Sequence, residues 1–513
     1  MTADPAGVSR IVFASRPPRL VRVQAMRNEG PTIDPALVPA MGGLIDGRWV
    51  AAPDHGVAVV TNPATGGELA RIPRCGAAGA RAAVEAADAA WQRPAGPDAR
   101  REWLNGIARR LLEARDGLAR LITLENGKPL AEAAVEVEYA AGFFRYFAGE
   151  LHRLDPEVLP ERIRGCRWTT HRRPAGVVAL ITPWNFPLAM LAKKVSAAIA
   201  AGCAFVARPS EVTPLSAMAL AHIAEQAGVP AGRVHLIVGR AAEVVPVFCT
   251  HPAVRLISFT GSTEVGRTLS AAAAPGLKRL ALELGGNAPF IVFADADLSA
   301  AATALLANKF RAAGQTCVCT NRVYVERAVA EEFAQRVAAR VRELRVGNGL
   351  EPGVQIGPLI NRAAFDKVAA HVGDALARGA RRLVGGDPAR PVADWGAFYP
   401  PTVLTGVTGA MRVCCEETFG PVVALASFAD EAEVIAQANA TCHGLAAYVF
   451  GGEPARLERV VRALRFGHVG INTGHGPTPE APFGGMKESG YGREGGVDGL
   501  LEYCEAQVSA DAG

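Results

Sequence analysis

Two short segments of this 513-residue chain could together carry one reaction. The first, Leu282-Glu283-Leu284-Gly285-Gly286, sets a carboxylate in a glycine-rich turn. The second, Phe310-Arg311-Ala312-Ala313-Gly314-Gln315-Thr316-Cys317, leads into a cysteine. The pair suits attack of a thiol on a carbonyl, then base-assisted hydrolysis of a thioester. Taken singly, each residue has a blander reading, an inert core thiol or a turn carboxylate. Together, and downstream of a nucleotide-binding pattern, they point to chemistry.

These residues need a scaffold, and the chain supplies an α/β one. From Gly176 onward, short apolar strands at 176–181, 204–207, 234–238 and 256–259 alternate with helical stretches at 191–201 and 215–226. Continuous apolar strands between helices indicate a parallel sheet covered on both faces. A second α/β rhythm follows Glu283, with strands at 289–293 and 323–325 and a helix at 330–344. Upstream, Leu44-Ile45-Asp46-Gly47-Arg48-Trp49 reads as a hairpin turning at Asp-Gly, and Asn62-Pro63-Ala64-Thr65-Gly66-Gly67 as a second turn. Residues 77–148 are helical by spacing, broken at Gly127-Lys128-Pro129. The tail over 482–493 has poor periodicity; it wraps over other elements or crosses to a neighbouring subunit.

A parallel sheet binds ligands beyond the carboxyl ends of its strands. Pro183-Trp184-Asn185, Arg208-Pro209-Ser210-Glu211 and Gly261-Ser262-Thr263-Glu264-Val265-Gly266 all fall there. The last opens a helix whose free N–H groups suit a phosphate, with Ser262 adding a hydroxyl. Its Gly-x4-Gly spacing is weak alone, and the lack of Gly-Lys-Ser/Thr argues against a P-loop enzyme. Glu211 could accept hydrogen bonds from an adenosine ribose and repel a 2′-phosphate, favouring NAD; Arg208 argues for NADP. With a dinucleotide present the two halves join. Cys317, active as thiolate, would attack an aldehyde, and the oxyanion would meet Asn185 and the Cys317 N–H. One such donor typically contributes about 2.7–4 kcal/mol. After hydride leaves for nicotinamide, Glu283 would activate water against the thioester, its pKa raised toward neutrality by partial burial. Cys317 and Glu283 must then face one cavity at the mouth of the dinucleotide cleft.

Bulk properties narrow the alternatives. The length implies two or three lobes, and half the residues are apolar. A net charge of +4, with basic and acidic residues interleaved, disfavours nucleic acid as the main partner. The longest apolar run, 195–207, is about a dozen residues, too short to cross a membrane. Ten cysteines in such a length are no disulfide framework, and neither Cys317 with Cys319 nor Cys414 with Cys415 has zinc spacing. No metal site and a cytoplasmic location are expected. Residues 1–40 are Arg-rich and acid-poor, as transit peptides are. The simpler reading is a disordered extension, or a start codon placed too early with Met26 or Met41 the true one.

From about Gly42 to Val508 the chain resembles the aldehyde dehydrogenase superfamily. The resemblance rests on Pro183-Trp184-Asn185-Phe186-Pro187, Phe259-Thr260-Gly261-Ser262, Glu283-Leu284-Gly285-Gly286, Gly314-Gln315-Thr316-Cys317, Glu416-Glu417-Thr418-Phe419-Gly420-Pro421 and Pro482-Phe483-Gly484-Gly485. It implies a Rossmann-like cofactor domain over 41–153 and 174–285 and a catalytic domain over 286–475. Small β bridging or oligomerisation segments at 154–173 and 476–513 would pair subunits into dimers or tetramers. It further implies that Glu417 binds the nicotinamide ribose with Phe419 beside the ring. Trp184, Ser262 and the backbone near Leu284 would line the cofactor, beside the turns already read from the residues, which carry Arg208, Ser210, Glu211, Gly261 and Gly266. At Arg208 the family usually has lysine, a departure that bears on cofactor choice. Lys194 and Glu494 match a pair that helps proton movement, or form a plain salt bridge.

Within the superfamily, residues 283–290 and 314–319 resemble the succinate-semialdehyde dehydrogenase branch. There an arginine six residues before the nucleophile holds the far carboxylate, and Arg311 matches it. A second arginine of that branch is Lys193 here, which keeps the charge without the planar fork. A late-loop serine is replaced by Gly476-Pro477-Thr478-Pro479, where Thr478 could substitute. Glutarate semialdehyde, another ω-carboxy aldehyde or an uncharged aldehyde therefore stay open. A coenzyme A-acylating enzyme is disfavoured because such relatives lack the base at Glu283, and a non-catalytic binding protein because Cys317, Glu283 and Asn185 are intact. Cys319 could form a redox switch with Cys317 or be a second small core residue.

Overall fold

Strands apolar at every position must be covered on both faces, and the chain meets that demand twice. The computed structural model describes residues 21–22, 33–52, 55–386 and 397–512. The first sheet is built on β1 (Val177–Ile181), β2 (Ala204–Arg208), β3 (Val234–Leu236), β4 (Val254–Thr260) and β5 (Arg279–Glu283). They run parallel in the order β3-β2-β1-β4-β5. Every residue of β1 is buried. Val178 and Leu180 face one core; Val177, Ala179 and Ile181 face another on the opposite side. Each such Val or Leu contributes about 1.5–3 kcal/mol by leaving water. The order reverses between β1 and β4, which opens a crevice beyond their carboxyl ends.

The helical region 77–148 divides into α1 (Gly76–Trp91), α2 (Pro97–Glu113), α3 (Arg115–Asn126) and α4 (Leu130–Gly149). Pro97 starts α2 at a position that needs no N–H donor, and Gly127 closes α3 in the left-handed region at φ 92°. Three further helices matter for the site: α5 (Ala189–Ala201), α6 (Leu215–Gln226) and α7 (Thr263–Ala273). The hairpin at Asp46-Gly47 has positive φ at both turn residues and lays Gly43–Ile45 antiparallel against β3.

The second sheet holds β6 (Ala288–Val292), β7 (Thr320–Glu326), β8 (Thr402–Thr405), β9 (Val422–Phe428), β10 (Ala446–Phe450) and β11 (His468–Ile471). Their order is β8-β9-β7-β6-β10-β11, all parallel. Helix α8 (Leu298–Lys309) precedes the Cys317 segment, which runs into β7. The carboxyl end of β5 and the amino ends of β6 and β7 thereby converge on one region. Cys504–Asp511 pairs antiparallel with Arg167–Pro174, which also pairs with Glu157–Val158. This third sheet exposes Val158 and Val508, and the loop joining two of its strands exposes Ile163.

Two expectations need correction. Part of the segment expected to be a disordered extension is built into the fold. Leu37 and Val38 are buried in the main core, and Val21–Arg22 pairs with Val50 and Ala51. The remainder, residues 1–20 and 23–32, lies outside the described residues. The third strand stops at Leu236 rather than 238, where the chain leaves the sheet toward Gly239. The 482–493 tail wraps over the body: Met486–Lys487 pairs with His443–Gly444, and Gly490–Tyr491 pairs with β5.

Candidate active site

The Cys317 segment owes its shape to strained backbone. Ala312, Ala313 and Gly314 are consecutively left-handed, at φ 48°, 55° and 76°. Only the glycine does this freely; each alanine costs about 1–2 kcal/mol. Buried hydrogen bonds hold the turn. Glu132 Oε2 accepts from the Ala312 N–H at 2.7 Å. Gln315 donates to the Ala312 carbonyl at 3.0 Å and accepts from Ile360 N–H at 2.9 Å. At Gly314 a Cβ would lie 2.2 Å from the Gly420 carbonyl oxygen, and at Gly286 one would lie 2.4 Å from that of Cys317. The glycines of both motifs thus let three backbone segments close around the thiol.

Cys317 lies on the wall of a cavity of about 900 Å³. Enclosure by protein pushes its thiol up to about 12, although Lys193 pulls the other way. Asn185 shares the wall, and its Nδ2 donates to the Gln315 carbonyl at 2.9 Å, which fixes which end of the amide carries the donors. The second N–H of that amide is left for a ligand. The Cys317 N–H has no acceptor among the described residues. Both groups needed to meet an oxyanion are therefore in place and uncommitted.

Glu283 departs from expectation. It is 3% exposed, and it is not among the residues lining the cavity that holds Cys317. Neither carboxylate oxygen has a hydrogen-bond partner among the described residues. Burial raises its pKa well above the usual range, and the charge of Glu494 raises it further. Burial is complete rather than partial, an environment that favours the neutral carboxyl over the carboxylate. Glu494 is its opposite: burial would raise it, but Lys193 and Lys194 hold it low. The two ammonium groups take one carboxylate oxygen each.

On the nucleotide side, Ser262 caps α7 by accepting from the Val265 N–H at 3.3 Å, leaving the Thr263 and Glu264 N–H groups open as helix geometry requires. Gly261 and Gly266 are explained by packing: a Cβ would lie 2.3 Å from the Phe259 ring at the first and 2.6 Å from the Leu284 side chain at the second. The Leu284 side chain is buried, and its N–H donates to the Ser489 carbonyl at 3.0 Å. Ser210 Oγ accepts from the Val212 N–H within its own turn. Trp184 and Phe419 meet edge to face at 5.7 Å, with Phe419 left-handed at φ 56°. Glu417 accepts from the Gly286 N–H at 3.0 Å, and burial lifts its pKa to about 7.

Arg208 does not present a free guanidinium. Its Nε and a terminal nitrogen both donate to the Gly239 carbonyl, at 3.2 and 3.0 Å, and it lies 3.7 Å from Glu211. Glu211 is held more closely by Arg74, at 2.6 Å. The Nε and one terminal nitrogen of Arg208 are thus already engaged by groups of the protein itself.

The family model for the aldehyde dehydrogenase family matches residues 49–509. The chain belongs to the aldehyde dehydrogenase family. It is 48% identical over 475 residues to a 3-sulfolactaldehyde dehydrogenase of Pseudomonas putida, covering 92% of this chain and 97% of that protein. It is 47% identical to an NADP(+) succinate-semialdehyde dehydrogenase of Escherichia coli, over 90% of this chain and 96% of the relative. The solved succinate-semialdehyde dehydrogenase of Burkholderia pseudomallei superposes with a TM-score of 0.91 at 47% identity, covering 94% of this chain and 100% of that one. The chain is therefore an oxidoreductase acting on aldehydes with NAD(P), on the α/β fold described above.

Two features of this aldehyde dehydrogenase site escaped the sequence. Arg74 reaches Glu211 across 137 positions. Lys128 and Glu136 form a fully buried ion pair at 2.5 Å. Lys128 also holds the Asn185 carbonyl at 2.8 Å, while Glu136 accepts from Leu188 and Ala189 N–H at the start of α5. That pair positions the Trp184-Asn185-Phe186 loop; its one sequence signal was the break at Gly127-Lys128-Pro129. Cys319, which the sequence did single out, is buried, donates to the Gly314 carbonyl at 3.2 Å and lies 3.6 Å from Lys309 Nζ. These contacts fit the core-residue reading. In a redox switch, Cys319→Ala would lose dithiol-reversible peroxide inhibition; inhibition that stays fully reversible excludes it.

Proposed function

We propose that this enzyme oxidises a short aldehyde bearing a terminal anionic group, succinate semialdehyde or a close ω-carboxy homologue, to the acid. One observation carries this. The cavity in front of Cys317 is lined by Lys193, Arg311 and Arg340. Lys193 is engaged by Glu494, and Arg340 donates to Thr303 Oγ1. Arg311 has neither ion pair nor hydrogen bond among the described residues; its guanidinium lies 5.4 Å over the Phe186 ring, with a buried unpaired Nε. An unpaired guanidinium facing a cavity is costly unless a ligand anion completes it. The relatives' named substrates share an anionic group, a sulfonate in one and a carboxylate in the other. Thr478 stands exposed at the rim of the same cavity.

Cys317 adds to the aldehyde carbon, and Asn185 with the Cys317 N–H receives the oxyanion. The dinucleotide, when bound, supplies the hydride acceptor. Glu283 then serves as base for hydrolysis of the thioester, so the product is the free acid rather than an acyl-coenzyme A. Arg311→Ala should raise KM for succinate semialdehyde roughly 10- to 100-fold, the worth of a charged hydrogen bond. An uncharged aldehyde of similar length should change by less than about twofold. Equal effects on both would remove the clamp.

NAD is the favoured cofactor, with NADP accepted. Glu211 supports the first, since a carboxylate there repels a 2′-phosphate. Its pairing with Arg74 and Arg208 dilutes that charge and supports the second. Glu211→Gln should shift the ratio of kcat/KM for NAD over NADP by about 10-fold toward NADP, about 1.4 kcal/mol. A homodimer or homotetramer formed through the third sheet is supported by its exposed apolar side chains and free strand edge. A cytoplasmic location is supported by ten free cysteines, and no described helix is long and apolar enough to cross a membrane.

A further inference from the structure

Lys193 occupies two environments at once. It lines the cavity in front of Cys317, and its Nζ is ion-paired with Glu494 Oε2. The other Glu494 oxygen takes Lys194, which is fully buried, does not line the cavity and donates to Ser258 Oγ at 2.8 Å. Of the two cations that clamp Glu494, an anion in the cavity can reach one.

The charged and titratable groups around this pair are few. Glu494 faces Lys193 and Lys194 from α5, Glu283 from β5 and Tyr503 from the C-terminal segment, with Arg493 beside it. Lys193 also faces Tyr139 of α4 and Cys317. Tyr139 donates to the Pro477 carbonyl at 3.2 Å. Glu494 lies between two ammonium groups, which favour its carboxylate form, whereas Glu283 is buried with no polar partner, which favours its neutral form.

Resting on the reading of Cys317 and Glu283 above, the geometry points to Lys193 as a positioning residue that makes the catalytic base available only when an anionic aldehyde fills the cavity. The anionic end of the substrate draws the Lys193 ammonium away from Glu494 Oε2. Glu494, left with Lys194 alone, becomes the better proton acceptor and takes the proton of Glu283. Glu283-COOH and Glu494-COO⁻ become Glu283-COO⁻ and Glu494-COOH, and no proton leaves the site. The ionised Glu283 then activates water against the thioester. An uncharged aldehyde leaves both clamps on Glu494 and the base protonated. Recognition of the anion is thus expressed in turnover as well as in binding.

The test compares succinate semialdehyde with butanal in the full-length enzyme, by stopped-flow and steady-state NADH absorbance, between about pH 6 and about pH 9. Butanal should give a burst and then slow turnover that climbs with pH. Succinate semialdehyde should turn over at least about 10-fold faster, with a flat profile near neutrality. Lys193→Met mimics the withdrawn ammonium: it should raise kcat for butanal to within about twofold of that for succinate semialdehyde and flatten its pH profile. Lys193→Arg, which keeps a cation on Glu494, should preserve the difference. Equal kcat values and pH profiles for the two aldehydes in the wild type would overturn the proposal, even if Lys193→Met fails to fold. So would a Lys193→Met enzyme altered only in KM for succinate semialdehyde. Absence of NADH from either aldehyde would instead overturn the underlying assignment of Cys317 and Glu283.

Discussion

Cys317→Ala is expected to lower aldehyde-dependent NADH formation by at least about 10,000-fold, the scale on which loss of a nucleophile is felt. No second thiol can take over. Cys319, two residues on, is buried and turned toward the Gly314 carbonyl. The substitution removes one sulfur from a wall held by Gln315, Glu132 and the left-handed turn, none of which needs the thiol. Dinucleotide affinity, read by titration, should therefore be unchanged. A variant that kept even a hundredth of the activity would place the nucleophile elsewhere. Because burial holds the thiol near 12, the wild-type rate of thiol alkylation should rise with pH through the alkaline range. Thiolate is the reactive form and is scarce at neutrality.

Glu283→Gln should lower kcat by about 100- to 10,000-fold, the usual worth of a positioned base, while leaving a stoichiometric burst of NADH. Acylation needs Cys317 and the oxyanion donors; hydrolysis needs the base. A burst without turnover separates these steps, and loss of the burst would assign Glu283 an earlier role. The same substitution carries a stability signature. The folded-state pKa is raised above that of the unfolded chain, chiefly by burial. Between those two values the folded protein holds a proton that the unfolded chain has released, so stability falls as pH rises through that window. Glutamine has no proton to hold. The Tm of Glu283→Gln should therefore exceed that of the wild type at neutral pH, and the gap should close below the ordinary carboxyl range.

Much of this architecture was legible along the chain because local rules sufficed. Predominantly apolar runs place β1, β2 and β4 within one or two residues of their observed bounds, since a strand buried on both faces is mostly apolar and admits a polar residue such as Ser258 where a partner meets it. Asp46-Gly47 specifies its hairpin by backbone conformation alone. The order of Asn185, Glu283 and Cys317, each in its motif, carried the chemistry and the family. Missed were contacts whose partners lie far apart in sequence. Arg74 with Glu211, and Lys128 with Glu136 beneath the Asn185 loop, follow no spacing rule.

The charge state of the site also escaped a linear reading. From residue types, Lys193, Arg208 and Arg311 are three equivalent cations. Packing distinguishes them: Glu494 takes the first, the Gly239 carbonyl and Glu211 the second, and the third is left facing the cavity. In the same way a glutamate before two glycines reads as a base, yet its proton depends on desolvation and on Glu494, 211 positions away by the numbering. Residue identity and local order name the groups that can react. Which of them are paired, dry or free is settled only when distant segments fold together, because solvation and Coulomb interaction depend on distance in space.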